Sequence, residues 1–172
     1  MRIFLIGYMG SGKTSIGKRI AEKLHFQFID MDHYIENQLH KSIAEIFNEL
    51  GEAFFREQER ECLHEVSKME NAVIATGGGS PCHFDNIDVM NKNGLTVYIR
   101  LSPKQLSDRL KATNISKRPL LANQKEDELE NYIYQNLSKR EPVYRKAQLT
   151  VTGSDDEIVE QIIRFVENTT VK

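Results

Sequence analysis

The chain has 172 residues, 40% of them hydrophobic and 28% charged, with a formal net charge of −2. That is enough for one domain with a core of its own. The weak negative balance excludes a global positive field that would draw it to nucleic acid or an anionic membrane, and no run is long and apolar enough to span a bilayer. Any anionic ligand must therefore be held by local cations.

The first element is the apolar run Ile3-Phe4-Leu5-Ile6, a buried strand. It leads directly into Gly7-Tyr8-Met9-Gly10-Ser11-Gly12-Lys13-Thr14, which fits G-x-x-x-x-G-K-[ST]. Ile16, Ile20 and Leu24 follow four apart, the apolar stripe of a helix. Strand, glycine loop and helix give the motif its mechanism. Successive amides can turn inward around a polyphosphate, and the helix start adds its positive dipole end. Lys13 brings a point charge to the outer phosphates, and the Thr14 hydroxyl can bind Mg²⁺. The motif in this context outweighs the alternative of a glycine turn that binds nothing. A signal peptide is not expected, because cleavage would remove the strand that carries the loop.

Phe26-Gln27-Phe28-Ile29 reads as the second strand, ending at Asp30-Met31-Asp32. Ser42-Ile43-Ala44-Glu45 fits a capping box, followed by Ile46, Phe47 and Leu50 before a stop at Gly51. A long helix is expected from Phe54 to Met69, its apolar face running through Phe55, Cys62, Val66 and Met69. Ala72-Val73-Ile74-Ala75 is the third strand and runs into Gly77-Gly78-Gly79. A short helix is expected over 83–91, then the fourth strand Leu95–Ile99. Ser102-Pro103 caps the next helix, which carries Leu106 and Leu110. The polar stretch 111–125, with Arg118-Pro119-Leu120-Leu121 at its centre, reads as a mobile loop or lid. A helix follows through Leu129, Ile133 and Leu137, ending near Arg140-Glu141-Pro142. Leu149-Thr150-Val151 is the last strand, and a second capping box, Ser154 to Glu157, opens a helix with Ile158, Ile162 and Phe165. The alternation predicts an α/β domain, a parallel sheet with helices on both faces, spanning 1–172 as one unit.

In such sheets ligands sit beyond the carboxyl ends of the strands. The phosphate loop, Asp30-x-Asp32 and Gly77-Gly78-Gly79 all fall at such ends. Strand alternation would put Asp30 and Asp32 on one side, facing the γ-phosphate. One carboxylate can order Mg²⁺ through water while the other accepts a proton from an attacking hydroxyl. Three glycines at a strand end point to a close backbone approach. The acidic residue that often follows this strand in phosphate-loop proteins is absent, which moves the metal-ordering task to Asp30. Arg56, within Phe54-Phe55-Arg56, suits either a snorkelling surface residue or a bidentate clamp on a carboxylate, with Glu59 on the same helical face to hold it. Arg118 suits either a solvated loop or the transferring phosphoryl group. Arg140, near a helix end, is read as serving the helix dipole when taken alone. The two cysteines, Cys62 and Cys82, read as reduced thiols, and none of the five histidines is assigned to a site. Mg-nucleotide use and the lack of targeting together suggest a cytoplasmic protein.

The ordered set now in view resembles the shikimate kinases: the loop at 7–14, Asp30-x-Asp32, Phe55-Arg56, Gly77-Gly78-Gly79, Arg118-Pro119-Leu120-Leu121 and Arg140-x-Pro142-x-Tyr144. The likeness covers nearly the whole chain. It implies a nucleoside-monophosphate-kinase-like three-layer sandwich with a five-stranded parallel sheet. It also implies ATP- and Mg²⁺-dependent phosphorylation of the 3-hydroxyl of shikimate, on the route to chorismate and the aromatic amino acids, by a monomer. By matching position, Gly10, Ser11, Gly12, Lys13, Thr14 and Ser15 would hold the phosphates, with Thr14 and Asp30 near the metal. Asp32 would bind ring hydroxyls and act as base. Arg56 and Arg140 would hold the carboxylate, helped by the backbone of Gly77, Gly78 and Gly79. The substrate-binding helices would cover about residues 32–60. Arg118 would be the lid arginine on ATP, and Arg109, or else Lys111, the cation stacked on adenine. The last adenine-contacting loop would fall near Gly153-Ser154. Rival readings are a gluconate or nucleotide kinase of the same shape, and a nucleotide-dependent switch without a small acceptor. The Asp30/Asp32 pair and the glycine run speak against the switch, which needs no second pocket.

Overall fold

The computed structural model describes residues 1–113 and 126–170. Five strands form one sheet: β1 (Arg2–Ile6), β2 (Gln27–Asp30), β3 (Ala72–Ala75), β4 (Leu95–Ile99) and β5 (Leu149–Val151). Their order is β2-β3-β1-β4-β5, and every pairing is parallel. All the carboxyl ends therefore share one edge. Asp30 pairs with Ala75, Ala75 with Leu5, and Leu5 with Val97. That register brings the ends of β2 and β3 level with the start of the phosphate loop.

Between and around the strands run α1 (Lys13–Leu24), α2 (Met31–Leu39), α3 (Ile43–Val66), α4 (Asn86–Asn93), α5 (Pro103–Ala112), α6 (Glu126–Tyr144) and α7 (Asp155–Thr170). The alternation within β1 splits the core in two. Ile3 and Leu5 pack with Ile16 and Ile20 of α1 and Ile158, Val159 and Ile162 of α7. Phe4 and Ile6 pack on the other face with Met31, Ile46, Phe55, Leu63, Leu106, Ile133 and Tyr144. Two apolar faces covered by two layers of helices make a three-layer α/β sandwich.

Several element boundaries differ from the sequence expectation, each for a local reason. The turn expected after β2 is the start of a helix. Asp30 is the N-cap of α2, its carboxylate accepting from the amides of Asp32 and His33. Asp32 therefore lies in a first helical turn, not in strand register with Asp30. Gly51 does end the first helical segment, as expected, but the next begins directly after it instead of at Phe54. With φ 85° and ψ 167° it breaks the helical path inside α3, which then resumes. Pro81 opens a short 3₁₀ turn over Ser80–Cys82, which delays α4 to Asn86. Pro142 lies inside α6, which continues to Tyr144 because the Arg145 amide still reaches the Glu141 carbonyl at 2.9 Å. In α7 it is Val166, not Phe165, that completes the buried stripe; Phe165 is 37% exposed. Helix α5 runs to Ala112, into the stretch read as a loop or lid, and residues 114–125 of that stretch lie outside the described residues. Among the described residues no helix is long and apolar enough to cross a membrane.

The corrected α7 stripe has an energetic consequence. Ile162 is fully buried between helix and sheet, so Ile162→Ala should cost about 2–5 kcal/mol through lost burial and a residual cavity. Phe165→Ala should cost clearly less. Urea midpoints of the two variants would measure the difference.

Candidate active site at the carboxyl edge of the sheet

The loop after β1 turns tightly: the Ser11 amide donates to the Tyr8 carbonyl at 3.1 Å. Gly12 is the N-cap of α1 and sits in the left-handed region at φ 93°, where a side chain would be strained. Lys13 leads off the helix, and its Nζ lies over the loop, donating to the carbonyls of Gly7 at 2.8 Å and Tyr8 at 3.0 Å. Ser11 is buried; Thr14 and Ser15 are exposed on the first turn of α1. The Thr14 hydroxyl donates to Asp30 Oδ2 at 2.7 Å. Asp30 thus does two local jobs, capping α2 with one oxygen and meeting Thr14 with the other.

Across from the loop lies the glycine run. A Cβ on Gly77 would sit 2.5 Å from Glu59 Oε1 and 3.0 Å from Asp32 Oδ1. One on Gly78 would sit 3.3 Å from the Met9 amide nitrogen and 3.7 Å from Arg140 Nη1. One on Gly79 would lie 2.8 Å from both terminal nitrogens of Arg56. Three consecutive residues are therefore pressed, in turn, against two carboxylates, the phosphate loop with one guanidinium, and the second guanidinium. Arg56 and Arg140 are brought together, not splayed apart.

Each charged group here is held by neighbours. Arg56, only 13% exposed, pairs with Glu59 at 2.5 Å and Glu52 at 3.1 Å. The snorkelling alternative is thereby set aside. Arg140 lies 5.5 Å from the centre of the Tyr8 ring. Its guanidinium faces the crevice, which the dipole reading did not anticipate. Buried oxygens Asp32 Oδ1 and Glu59 Oε1 have no hydrogen-bond partner among the described residues, and both lie beside Gly77. Burial raises the Asp32 carboxyl above its ordinary range; the nearby Asp30 charge adds to this and Lys13 partly offsets it. Burial likewise pushes Glu59 up to about 7, against the pull of Arg56.

Two residues without an assigned role from sequence join the site. Tyr144, fully buried, donates its hydroxyl to the Gly78 carbonyl at 2.5 Å. Burial, partly countered by Arg140, raises this phenol well beyond the usual tyrosine range, so it stays a donor. Tyr8 forms the aromatic floor under Arg140. The signal for Tyr144 was its spacing, four residues after Arg140 on one helix. On the other flank of the loop, Arg109 donates to Asp155 Oδ1 at 2.7 Å, and its Nη1 lies 3.1 Å from where a Gly12 Cβ would be. Lys111 instead lines a groove between α5 and α6, with Asp108, Glu130 and Tyr134. Of the two candidates only Arg109 borders the phosphate loop. Gly153 and Ser154 immediately precede Asp155, so that loop ends next to the Arg109 ion pair. Arg118 lies outside the described residues.

A parallel sheet in this order, with a phosphate loop after β1 and a charged cluster after β2 and β3, defines a phosphate-loop kinase of the nucleoside-monophosphate-kinase type. The profile of the family described as "Shikimate kinase" matches residues 9–169. A shikimate kinase of Bacteroides fragilis is 52% identical over 147 residues, covering 86% of this chain and 82% of that protein. The crystal structure of shikimate kinase from Bacteroides thetaiotaomicron superposes with a TM-score of 0.91 at 45% identity, over 97% of this chain and 98% of that one. Shikimate kinase from Acinetobacter baumannii, solved in complex with shikimate, gives 0.88 at 31% identity over 99% and 95%. The chain belongs to the shikimate kinase family and is a kinase.

The raised Glu59 carboxyl fixes a pH effect on stability. The folded state binds this proton more tightly than the unfolded chain, so the contribution is present at low pH and is lost as pH rises toward 7. Between about pH 5 and pH 8 the wild-type Tm should therefore fall relative to that of Glu59→Gln. Parallel melting curves across that range test it.

Proposed function

We propose that the chain transfers the γ-phosphoryl group of ATP to the 3-hydroxyl of shikimate, giving ADP and shikimate 3-phosphate on the route to chorismate. The carrying observation is the glycine run, where Asp32, Arg56, Arg140 and the phosphate-loop backbone meet at Gly77–Gly79. Membership of the shikimate kinase family supports the choice of acceptor.

In this reading Arg56 and Arg140 take the acceptor carboxylate from two sides and orient the ring as a rigid body. The backbone of Gly77, Gly78 and Gly79 lines the pocket closely enough to contact it. A ring hydroxyl then faces Asp32, whose raised proton affinity suits it to take the hydroxyl proton as the oxygen attacks phosphorus. The new O–P bond forms as the β–γ bridge breaks, and the bridging electrons leave with ADP. Lys13, the loop amides of Gly10, Ser11 and Gly12, and the Ser15 and Thr14 hydroxyls hold the phosphates. The resemblance gives Arg118 the charge on the transferring group, and Arg109 the adenine face near Gly153 and Ser154. Positioning of this kind can lower a barrier by about 7–11 kcal/mol.

The metal fits the donors present. Thr14 and Asp30 offer a hydroxyl and a carboxylate oxygen 2.7 Å apart, hard oxygen donors of the kind Mg²⁺ takes alongside water and substrate phosphates. Among the described residues no cluster of three or more His, Cys, Asp or Glu could form an all-protein cage. Bound there, by Thr14 directly and by Asp30 through water, Mg²⁺ would neutralise phosphate charge. The same reading makes the chain a cytoplasmic monomer working as one domain.

A coupled ADP-release assay with shikimate, ATP and Mg²⁺ tests this, with gluconate as the competing acid-bearing polyol. Turnover with gluconate and none with shikimate would overturn the assignment. Asp32→Asn should lower kcat by about 10²–10⁴-fold while ATP still binds. Arg56→Ala and Arg140→Ala should each raise the shikimate KM by at least about tenfold, as loss of a charge-assisted hydrogen bond does; unchanged KM in both would remove the carboxylate clamp.

A further inference from the structure

The Tyr144 hydroxyl is absent from the mechanism above, yet it donates to the Gly78 carbonyl in the backbone of the acceptor pocket and also shares a hydrogen bond with Arg140. Its phenol lies wholly inside the protein, packed 5.1 Å from the Tyr98 ring. A trans peptide holds its carbonyl and the next amide pointing in opposite directions, and no cis peptide bond occurs among the described residues. Fixing the Gly78 carbonyl toward Tyr144 therefore aims the Gly79 amide the other way. Gly79 is the residue whose Cβ position lies against the Arg56 guanidinium. No hydrogen bond to an acceptor engages the Gly79 amide among the described residues. Tyr144 also follows Arg140 by one helical turn on α6. One side chain thus ties the helix that carries the first guanidinium to the peptide that faces the second.

We infer that Tyr144 is a positioning residue for the acceptor: its hydrogen bond to the Gly78 carbonyl sets the Gly78–Gly79 peptide so that the Gly79 amide donates to the bound acid between Arg56 and Arg140. The inference rests on the acceptor pocket proposed above. It places Tyr144 itself apart from the nucleotide side, since among the described residues its hydroxyl makes no hydrogen bond to the phosphate loop.

Tyr144→Phe removes the hydroxyl and keeps the ring. The shikimate KM should rise about tenfold, the scale of one lost hydrogen bond in a pocket, with the ATP KM changed less than about twofold. Tyr98→Phe is the control. The Tyr98 hydroxyl is buried with no hydrogen-bond partner among the described residues, so its removal should leave both KM values where they were. A merely structural role would lower the Tm of Tyr144→Phe and leave the shikimate KM unchanged, which overturns the inference. A measurement on the wild-type chain does not depend on the variant folding. The Gly79 amide resonance should move downfield as shikimate is titrated in, and a resonance that stays in place overturns the inference equally. Wild-type turnover in the same assay distinguishes the two levels. Absence of shikimate-dependent ADP release overturns the acceptor assignment and this inference together, whereas wild-type turnover with an unchanged KM in Tyr144→Phe overturns only the role of Tyr144.

Discussion

A steric constraint governs the crevice: a side chain at residue 77, 78 or 79 would crowd the charged groups around it. At each of them a Cβ would meet, within 2.5–3.4 Å, a carboxylate oxygen, the loop backbone or a guanidinium. The missing side chains let three groups of different charge approach one strip of backbone. Were that strip thicker by a methyl group, Arg56 and Asp32 would be displaced, since close-packed interiors have little room to yield. The rest of the fold serves this approach. The parallel register brings β2 and β3 level with the phosphate loop, α2 begins at once after β2 to present Asp32, and α6 delivers Arg140 and Tyr144 from the far side.

The electrostatics follow from the same crowding. The buried Glu59 and half-buried Asp32 carboxylates stand near each other beside Gly77; burial raises the proton affinity of both, the Asp30 charge adds to the effect on Asp32, and the Asp32 charge adds to the effect on Glu59. Arg56 keeps Glu59 from being an isolated buried charge. Lys13 does part of that work for Asp32. On the proposed reading, an acid-bearing acceptor entering between the two guanidiniums would meet positive charge already fixed in place, which reduces the ordering that binding must supply.

Most of this was legible in the chain because the signals were local. The phosphate loop announced itself by spacing, the strands by short apolar runs, and the helices at 42, 102 and 154 by their capping residues. Arg56 with Glu59 was readable from an i,i+3 relation. What sequence misjudged was non-local or conformational. Strand alternation misplaced Asp32, because a helix can cap itself on the last strand residue and no periodic stripe marks a helix as short as α2. Arg140 looked like a dipole partner because nothing near it in sequence shows Tyr8, which lies at the far end of the chain. The choice between Arg109 and Lys111 needed the third dimension, since both lie on the same helix and only one turns toward Gly12.

Gly51 divides α3 into an outer segment, seated on its Ser42 cap, and an inner one that carries Arg56 and Glu59. A continuous rod would act as a lever, and any swing of its solvent-facing tip would be felt at the guanidinium. The break absorbs that swing in one residue with open space around it. The outer segment is anchored on the core by its own residue, Ile46, and takes its own direction, so the heading of the guanidinium is set by the inner segment alone.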